Sequence, residues 1–183
     1  MKSLQDVYKS YQMDDAGGDK GTAHSYIDIY ADHIPAAVGK SLLEIGVWQG
    51  HSLKMWSEYL PNSRVVGLDI DLSRLLWQAD GFEVLLCDAT KQAEIKDKVS
   101  GMFDYIIDDG SHTEEAQIRA FYNLWDYLLV GGKYFIEDIL SLDVAKSLSE
   151  QICEFTGMAV QIYDLTAVKG RADDILIQIT KVN

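Results

Sequence analysis

The stretch FDYIIDDGSH, residues 103–112, decides the fold class and directs attention to one edge of a sheet. Its first five residues form a mostly apolar run of strand length, and two acids, a glycine, a serine and His112 follow at once. A second run, Gly132–Ile136, ends in the same way, in Glu137-Asp138. Because open α/β sheets bind ligands at the carboxyl ends of their strands, we expect these acids and His112 to meet there. Hard oxygen ligands beside an imidazole predict a divalent-cation site that helps to deprotonate a hydroxyl.

The rest of the chain alternates apolar runs of strand length with segments of helical period, which predicts an α/β protein with a mostly parallel sheet. We expect seven strands, near Ser41–Ile45, Arg64–Asp69, Glu83–Cys87, Phe103–Ile107, Gly132–Ile136, Val160–Leu165 and Asp174–Thr180. Helices are expected at His51–Leu60, Leu72–Gln78, Lys91–Val99, Thr113–Leu128 and Val144–Phe155, with Thr113 as the cap of the fourth. About ten residues join the last two strands, so these should form an antiparallel hairpin.

The length of 183 residues predicts one domain over residues 1–183, with an N-terminal helical flap over 1–40 and a Rossmann-like core over 41–183. Cys87 and Cys153 lie in apolar patterns without CxxC spacing, which favours buried free thiols over a disulfide or a zinc site. The net charge of −13 disfavours a nucleic-acid partner. Free thiols favour a reducing cytoplasm. The polar N-terminus and the lack of a long apolar run argue against a signal peptide and a membrane span.

The segment between the first strand and the first helix has the features of a cofactor site. Gly46 can make the tight turn after Glu44, Gly50 lets the chain approach a ligand, and Ser52 can cap the helix. Asp69, at the end of the second strand, lies where an acid that accepts hydrogen bonds from ribose hydroxyls is expected. The alternative is an ordinary strand–helix turn with an incidental acid.

S-adenosylmethionine fits these residues better than NAD does. The G-x-G-x-x-G spacing is absent, Trp48 would crowd a pyrophosphate, and Glu44 suits the ammonium group of a methionine better than a phosphate. Asp88, after the third strand, could reach an adenine amino group or simply cap the next helix. A methyl donor is therefore the expected cofactor.

Five strand–helix units closed by a hairpin are an order that resembles class I methyltransferases. Within that superfamily, DKGT at 19–22, IDDGSH at 107–112 and IEDI at 136–139 resemble the S-adenosylmethionine- and Mg²⁺-dependent sugar O-methyltransferases of natural-product biosynthesis, of the mycinamicin and macrocin type. The resemblance implies Asp109, Glu137 and Asp138 as metal ligands and His112 as the general base. We expect Asp108 close to the methionine portion of the cofactor.

The implied roles agree with the chemistry of a hydroxyl acceptor. A sugar hydroxyl ionises far above neutral pH, and a divalent cation lowers its pKa enough for an imidazole, with an ordinary pKa of roughly 6.5, to take the proton. Carboxylates without thiolates favour Mg²⁺, or another hard divalent cation, over zinc or copper. As alternatives, Asp108-Asp109 could form only a turn, Glu137-Asp138 a solvated strand end, and His112 a surface side chain.

We therefore expect an O-methyltransferase that acts on a hydroxyl of a sugar or a glycosylated natural product. A metal-independent methyltransferase for small molecules, a non-catalytic S-adenosylmethionine-binding protein and an NAD-dependent oxidoreductase are the alternatives. In the flap, His24 and Tyr26 could close over ligands, or Tyr26 could anchor the core. The sequence does not decide whether the chain forms a homo-oligomer in which a second copy shields the flap, and it does not identify the acceptor.

Overall fold

A computed structural model describes residues 2–11, 18–76 and 81–183. Its strands are β1 Ser41–Ile45, β2 Arg64–Asp69, β3 Glu83–Leu86, β4 Phe103–Asp108, β5 Leu128–Ile136, β6 Val160–Asp164 and β7 Ile175–Thr180. They form one seven-stranded sheet in the order β3-β2-β1-β4-β5-β7-β6. The first five strands pair in parallel, and β7 runs antiparallel to both β5 and β6. The predicted α/β fold, mostly parallel with an antiparallel C-terminal hairpin, is confirmed.

The helices are α1 Leu4–Tyr11, α2 Ile27–His33, α3 His51–Tyr59, α4 Gln92–Lys98, α5 Glu114–Leu124, α6 Leu142–Thr156 and the short α7 Thr166–Lys169. The predicted helix Leu72–Gln78 is wrong over residues 72–76, which form turn and loop, and its last two residues lie outside the described part of the chain. The Asp71 carboxylate accepts the Ser73 N–H at 2.9 Å, a local bond that competes with a helical turn.

Two helix caps also differ from expectation. Thr113 takes the N-cap position of α5, but its side chain accepts no hydrogen bond from the helix; the Thr113 and Ser111 hydroxyl oxygens lie 3.3 Å apart instead. The N-cap of α3 is Gly50, and Ser52 lies inside the helix. Two helices in the described part of the chain have a side-chain cap: Ser3 Oγ accepts the Asp6 N–H of α1 at 3.1 Å, and Ser141 Oγ accepts the Val144 N–H of α6 at 3.3 Å.

The parallel strands are apolar throughout because helices cover both faces of the sheet. On one face, apolar residues of the sheet such as Leu43 pack against α4, α5 and α6; on the other, residues such as Leu42 pack against α1, α2 and α3. Each fully buried side chain of this kind contributes roughly 1.5–3 kcal/mol. The alternation also sends Glu44 toward α2 and α3 and Asp108 toward the opposite face.

Cys87 is buried, Cys153 is half-buried, and both are free thiols, as expected. The Cys153 thiol donates to the Met158 carbonyl oxygen at 3.1 Å. Among the described residues, none of the helices combines the length and the apolar character that a membrane crossing requires.

Candidate active site

A cavity of about 980 Å³ opens at the carboxyl ends of β1, β2 and β4. Seven of the residues singled out from the sequence line it: Gly46, Ser52, Asp69, Asp88, Asp109, His112 and Asp138. Four others, Glu44, Gly50, Asp108 and Glu137, are not among the lining residues and lie behind this wall. The predicted side chains therefore lie together at this edge of the sheet, seven of them lining the cavity and four of them behind the lining.

The two acidic pairs meet because the ends of neighbouring strands are tied by backbone hydrogen bonds. The Glu137 N–H donates to the Asp108 carbonyl at 2.9 Å, and the Asp109 N–H donates to the Ile45 carbonyl at 2.9 Å. Asp109 belongs to two groups whose possible ligand atoms lie within 4.8 Å of one another. One group contains His112 and Asp138, and the other contains Glu44 and Glu137.

Lys20, to which the sequence argument gave no role, lies at the centre of the second group. Its Nζ atom is 2.7 Å from Asp109 Oδ2, 2.7 Å from Glu137 Oε1 and 3.1 Å from Glu44 Oε1. The side chain is only 3% exposed. A signal was present in the sequence, since three acids at the ends of buried strands cannot be enclosed together without a cation.

The pKa values in this cluster follow from burial and from the lysine. Burial alone would lower the pKa of Lys20, but the charges of Asp109, Glu137 and Glu44 outweigh it and raise that pKa well above its ordinary value. Burial raises the pKa values of Glu137, Asp109 and Glu44, and the Lys20 ammonium opposes each rise. Lys20 therefore carries its charge at all ordinary pH values.

Each of the three predicted metal ligands has one oxygen held by the protein. Asp109 Oδ2 accepts from Lys20, Asp138 Oδ1 accepts from the Tyr26 hydroxyl at 2.8 Å, and Glu137 Oε1 accepts from both Lys20 and the Tyr30 hydroxyl. Within the described residues, no hydrogen bond reaches the remaining oxygens, which are Asp109 Oδ1, Glu137 Oε2 and Asp138 Oδ2. The carboxylates are thus fixed in orientation while one oxygen of each stays available.

His24 and Tyr26, which the sequence placed in the flap, contact Asp138 directly. Tyr26 is fully buried, and its hydroxyl also accepts the Asp138 N–H at 3.2 Å. His24 Nδ1 lies 3.1 Å from Asp138 Oδ1 and 3.6 Å from Asp174 Oδ1. Tyr26 is therefore a buried anchor and a partner of a predicted ligand at the same time.

His112 lies at the rim of the cavity with 36% of its side chain exposed. Its Nε2 atom is 3.9 Å from Asp138 Oδ2, too far for a direct hydrogen bond. Its Nδ1 atom is buried and, within the described residues, has no hydrogen-bond partner. Because Nδ1 is buried, Nε2 is the ring nitrogen that a molecule in the cavity could reach.

Backbone strain is concentrated around the cavity. Trp48, His112 and Asp138 have φ values of 48°, 56° and 53°, and all three line it. Among the described residues, Asn62 is the one other non-glycine with positive φ. Such a conformation costs on the order of 1–3 kcal/mol per residue and clusters at functional sites. No sequence pattern indicated this.

The loop after β1 has the predicted turn. Gly46 has φ +87°, and a Cβ atom there would lie 1.9 Å from the Asp109 carbonyl oxygen, so only glycine fits. Asp69 Oδ2 accepts the N–H groups of Val47 at 2.7 Å and Trp48 at 3.1 Å, which fixes the loop. The sequence predicted that Ser52 could cap α3, and this is wrong: Ser52 donates to the fully buried Glu44 at 2.6 Å instead.

Two further acids adopt different environments. Asp88 lines the cavity and does not cap α4, whose N-cap is Lys91. Its carboxylate accepts hydrogen bonds from the N–H and the hydroxyl of Thr90. The bond from the hydroxyl is the main cause that lowers the pKa of Asp88. Asp108 is buried on the opposite face of the sheet, and its Oδ2 atom has no partner within the described residues. Burial raises the pKa of Asp108 to about 7.

The strand order, the antiparallel β7 and the cavity at the strand ends define a class I methyltransferase fold. Solved structures agree: the chain superposes over 100% of its length on 55% of the MycE methyltransferase of the mycinamycin pathway, crystallised with Mg and S-adenosylhomocysteine, with a TM-score of 0.76 and 22% identity. An O-methyltransferase from Bacillus cereus, also crystallised with S-adenosylhomocysteine, gives a TM-score of 0.62 at 16% identity, over 98% of this chain and 90% of that one.

Relatives with known activities are sugar O-methyltransferases. The chain is 33% identical over 135 residues to 8-demethyl-8-α-L-rhamnosyl tetracenomycin-C 2′-O-methyltransferase of Streptomyces olivaceus, covering 67% of this chain and 35% of that protein. It is 36% identical over 110 residues to mycinamicin VI 2″-O-methyltransferase of Micromonospora griseorubida, covering 54% and 27%. The chain thus spans about a third of these relatives. No family model matches it.

Proposed function

We propose that this chain is an S-adenosylmethionine- and Mg²⁺-dependent O-methyltransferase that acts on a hydroxyl of a sugar or a glycosylated natural product. The similarity to sugar O-methyltransferases supports the reaction and the substrate class. The observation that carries the proposal is the arrangement of Asp109, Glu137 and Asp138, each held by one oxygen and each with a second oxygen unengaged.

These residues suit a hard divalent cation. The donors are carboxylate oxygens without thiolates, which is the set that Mg²⁺ prefers. Asp109, Glu137 and Asp138 would hold the ion, and Tyr26, Tyr30 and Lys20 orient them as second-layer partners do in metal sites. When bound, Mg²⁺ supplies Lewis acidity that makes a hydroxyl easier to deprotonate, and S-adenosylmethionine supplies an electrophilic methyl group.

His112 accepts the proton of the acceptor hydroxyl in this proposal. Its imidazole lies at the cavity rim, partly exposed, where an acceptor can reach it. Asp138 Oδ2 lies 3.9 Å from the Nε2 atom of His112, beside the position where the acceptor hydroxyl would bind in this proposal. Proton transfer of this kind typically contributes 10²–10⁴-fold to a rate.

The remaining predicted residues would bind the methyl donor. Asp69 retains lone pairs for ribose hydroxyls after it accepts the loop N–H groups, and Asp88 faces the cavity where an adenine amino group can donate to it. Gly46 and Gly50 set the loop conformation. Glu44 acts through Ser52 and Lys20, since it is enclosed. Asp108 acts through the loop after β4, because its Oδ1 accepts the Gly110 N–H at 3.2 Å.

Residues 18–26, which we call the 18–26 segment, form part of the cavity wall. Asp19, Lys20, Thr22 and Ala23 all line the cavity. Excluding water there strengthens every electrostatic interaction inside the site. We propose that residues 1–40 serve as a cover for the core at 41–183 within one domain.

Methyl transfer to a sugar-bearing natural product, measured before and after complete chelation, tests the proposal. We expect activity to disappear with the chelator and to return with added Mg²⁺. Activity that survives chelation would contradict the role of the metal. Binding of S-adenosylhomocysteine without any methyl transfer would identify a binding protein instead. A melting temperature raised by NAD and not by S-adenosylhomocysteine would exclude a methyltransferase.

A further inference from the structure

We propose that Lys20 is a permanent internal cation of this site: it positions Asp109 and Glu137 for the divalent ion and stays in place when that ion binds. The inference rests on the proposed function, because it assumes that the site takes a divalent ion. Two opposite roles are possible for Lys20 among the surrounding carboxylates. It can substitute for an absent metal, or it can form part of the site that receives one.

The hydrogen bonds of Lys20 favour the second role. An ammonium group has three donors, and the Nζ atom of Lys20 has three carboxylate oxygens within 3.1 Å, one each from Glu44, Asp109 and Glu137. All of its donors therefore have partners. Glu44 Oε2 accepts from the Ser52 hydroxyl at 2.8 Å, whereas Asp109 and Glu137 each keep a second oxygen that no hydrogen bond reaches within the described residues. Lys20 therefore holds one oxygen of each of these two acids and leaves the other for a metal ion.

The backbone around Lys20 is also fixed. The Lys20 carbonyl accepts the Tyr26 N–H at 2.9 Å, and the Ser25 N–H donates to Asp174 Oδ1 at 3.0 Å. Lys169 Nζ donates to the carbonyl oxygens of Gly21, at 2.7 Å, and His24. A Cβ atom at Gly21 would lie 2.5 Å from the Tyr8 ring, so the backbone is packed closely there. The backbone that carries Lys20 is therefore held against the core on several sides.

Charge balance argues in the same direction. Glu44 is fully buried and Glu137 is 1% exposed, and in the described part of the chain the salt bridges of Glu44, Glu137 and Asp109 all go to Lys20. A buried acid that loses its partner is strongly unfavourable. A divalent ion that replaced Lys20 would strand its ammonium group in the same low-dielectric interior.

A separate position for the ion exists on the cavity side. Asp109 and Asp138, two of the three proposed ligands, bring possible ligand atoms within 4.8 Å of each other, and both line the cavity. Asp109 can therefore serve both cations, because Oδ2 binds Lys20 and no hydrogen bond reaches Oδ1 within the described residues. The two roles of Lys20 predict opposite changes in metal affinity when the lysine is removed. Removing a substitute for the metal tightens metal binding, whereas removing a positioning residue weakens it.

The test is Mn²⁺ binding, followed by electron paramagnetic resonance, to the unaltered chain, Lys20→Met and Lys169→Met. Lys169 binds the same 18–26 segment, and among the described residues its hydrogen bonds go to carbonyl oxygens and not to the acids, so it is the matched control. We expect Lys20→Met to weaken Mn²⁺ binding by at least about tenfold, the usual effect of losing a partner of a metal ligand, and Lys169→Met to change it little. Equal or tighter binding by Lys20→Met would overturn the inference.

Two further measurements keep the test decisive. If Lys20→Met does not fold, the double variant Lys20→Met/Glu44→Gln removes one buried acid together with the ammonium group, and the same weakening is expected. In a crystal structure with Mn²⁺, Lys20 Nζ should remain within hydrogen-bond distance of Asp109 Oδ2; a displaced Lys20 would overturn the inference. Failure of the unaltered chain to bind Mn²⁺ would contradict the proposed function itself, which separates the two failures.

Discussion

The Tyr26 hydroxyl lies 2.8 Å from Asp138 Oδ1, although the two residues are 112 positions apart in the chain. The same hydroxyl accepts the Asp138 N–H, so Tyr26 fixes both the carboxylate and the backbone of a residue with φ +53°. A phenol on the N-terminal part of the chain therefore helps to hold a strained residue at the carboxyl end of β5.

Tyr26→Phe should weaken Mn²⁺ binding by about 10–100-fold, because the Asp138 carboxylate loses the donor that orients it. Tyr59→Phe is the control, since the Tyr59 hydroxyl is also buried but donates to the Ile34 carbonyl at 2.7 Å, away from the cavity. Both variants should lose a similar free energy of unfolding, about 1–3 kcal/mol. Equal effects of the two on Mn²⁺ affinity would contradict a role for Tyr26 at the metal.

His112→Asn should lower methyl transfer by 10²–10⁴-fold while the affinity for S-adenosylhomocysteine changes little. Asparagine is the informative replacement because it tolerates the positive φ of this position better than alanine does. The measurements are turnover and calorimetric titration on the same samples. Unchanged turnover would remove His112 from the mechanism, and a matching loss of cofactor affinity would make it a binding residue.

Gly46→Ala should destabilise the fold by several kcal/mol, since the new Cβ atom would lie 1.9 Å from the Asp109 carbonyl oxygen. Gly39→Ala separates this contact from the effect of backbone conformation. Gly39 also has a positive φ, +72°, but its Cβ would meet no atom within 4 Å, so we expect a cost of about 1–2 kcal/mol. Urea denaturation measures both; similar values would show that the close approach can relax.

His33 predicts a pH dependence away from the cavity. Burial lowers the pKa of His33, and the nearby Lys133 ammonium, 3.2 Å from Nδ1, lowers it further, while Asp32 opposes the change. The unfolded chain therefore takes up this proton first, and stability is lost as the pH falls through about 6.5.

His33→Gln should reduce this loss. The free energy of unfolding, measured by urea denaturation at about pH 7.5 and about pH 5.5, should fall less in the variant than in the unaltered chain. The other titrating groups are common to both proteins, so the comparison isolates His33. A fall of equal size in both would show that the folded chain binds this proton as readily as the unfolded one.

The sequence predicted the sheet well because its strands are buried on both faces. The bounds of β1 and β2 agree with expectation, and the antiparallel hairpin followed from a short connection. The predicted start of β5, at Gly132, was four residues late, because the helix before it was predicted to run to Leu128. In the structure α5 ends at Leu124, and a short 3₁₀ turn leads into β5 at Leu128. The apolar stripe continues through that turn, so periodicity alone could not locate the end of the helix.

The acids of the site were predictable, and the groups that hold them were not. Parallel strands bring their carboxyl ends together, so Asp109 and Glu137 had to lie at one edge. The positions of Lys20 and Tyr30 depend on how the N-terminal part docks on the sheet, and no short-range pattern encodes that docking. The positive φ of His112 likewise results from the tertiary structure and cannot be predicted from its residue type.

The link between Ser25 and Asp174 spans 149 positions, and Lys169 holds the same stretch from the same loop. During synthesis on the ribosome, every acid of the cluster is made before the loop that secures its lysine. Until that loop is made, the segment that carries Lys20 lacks its bonds to Lys169 and Asp174.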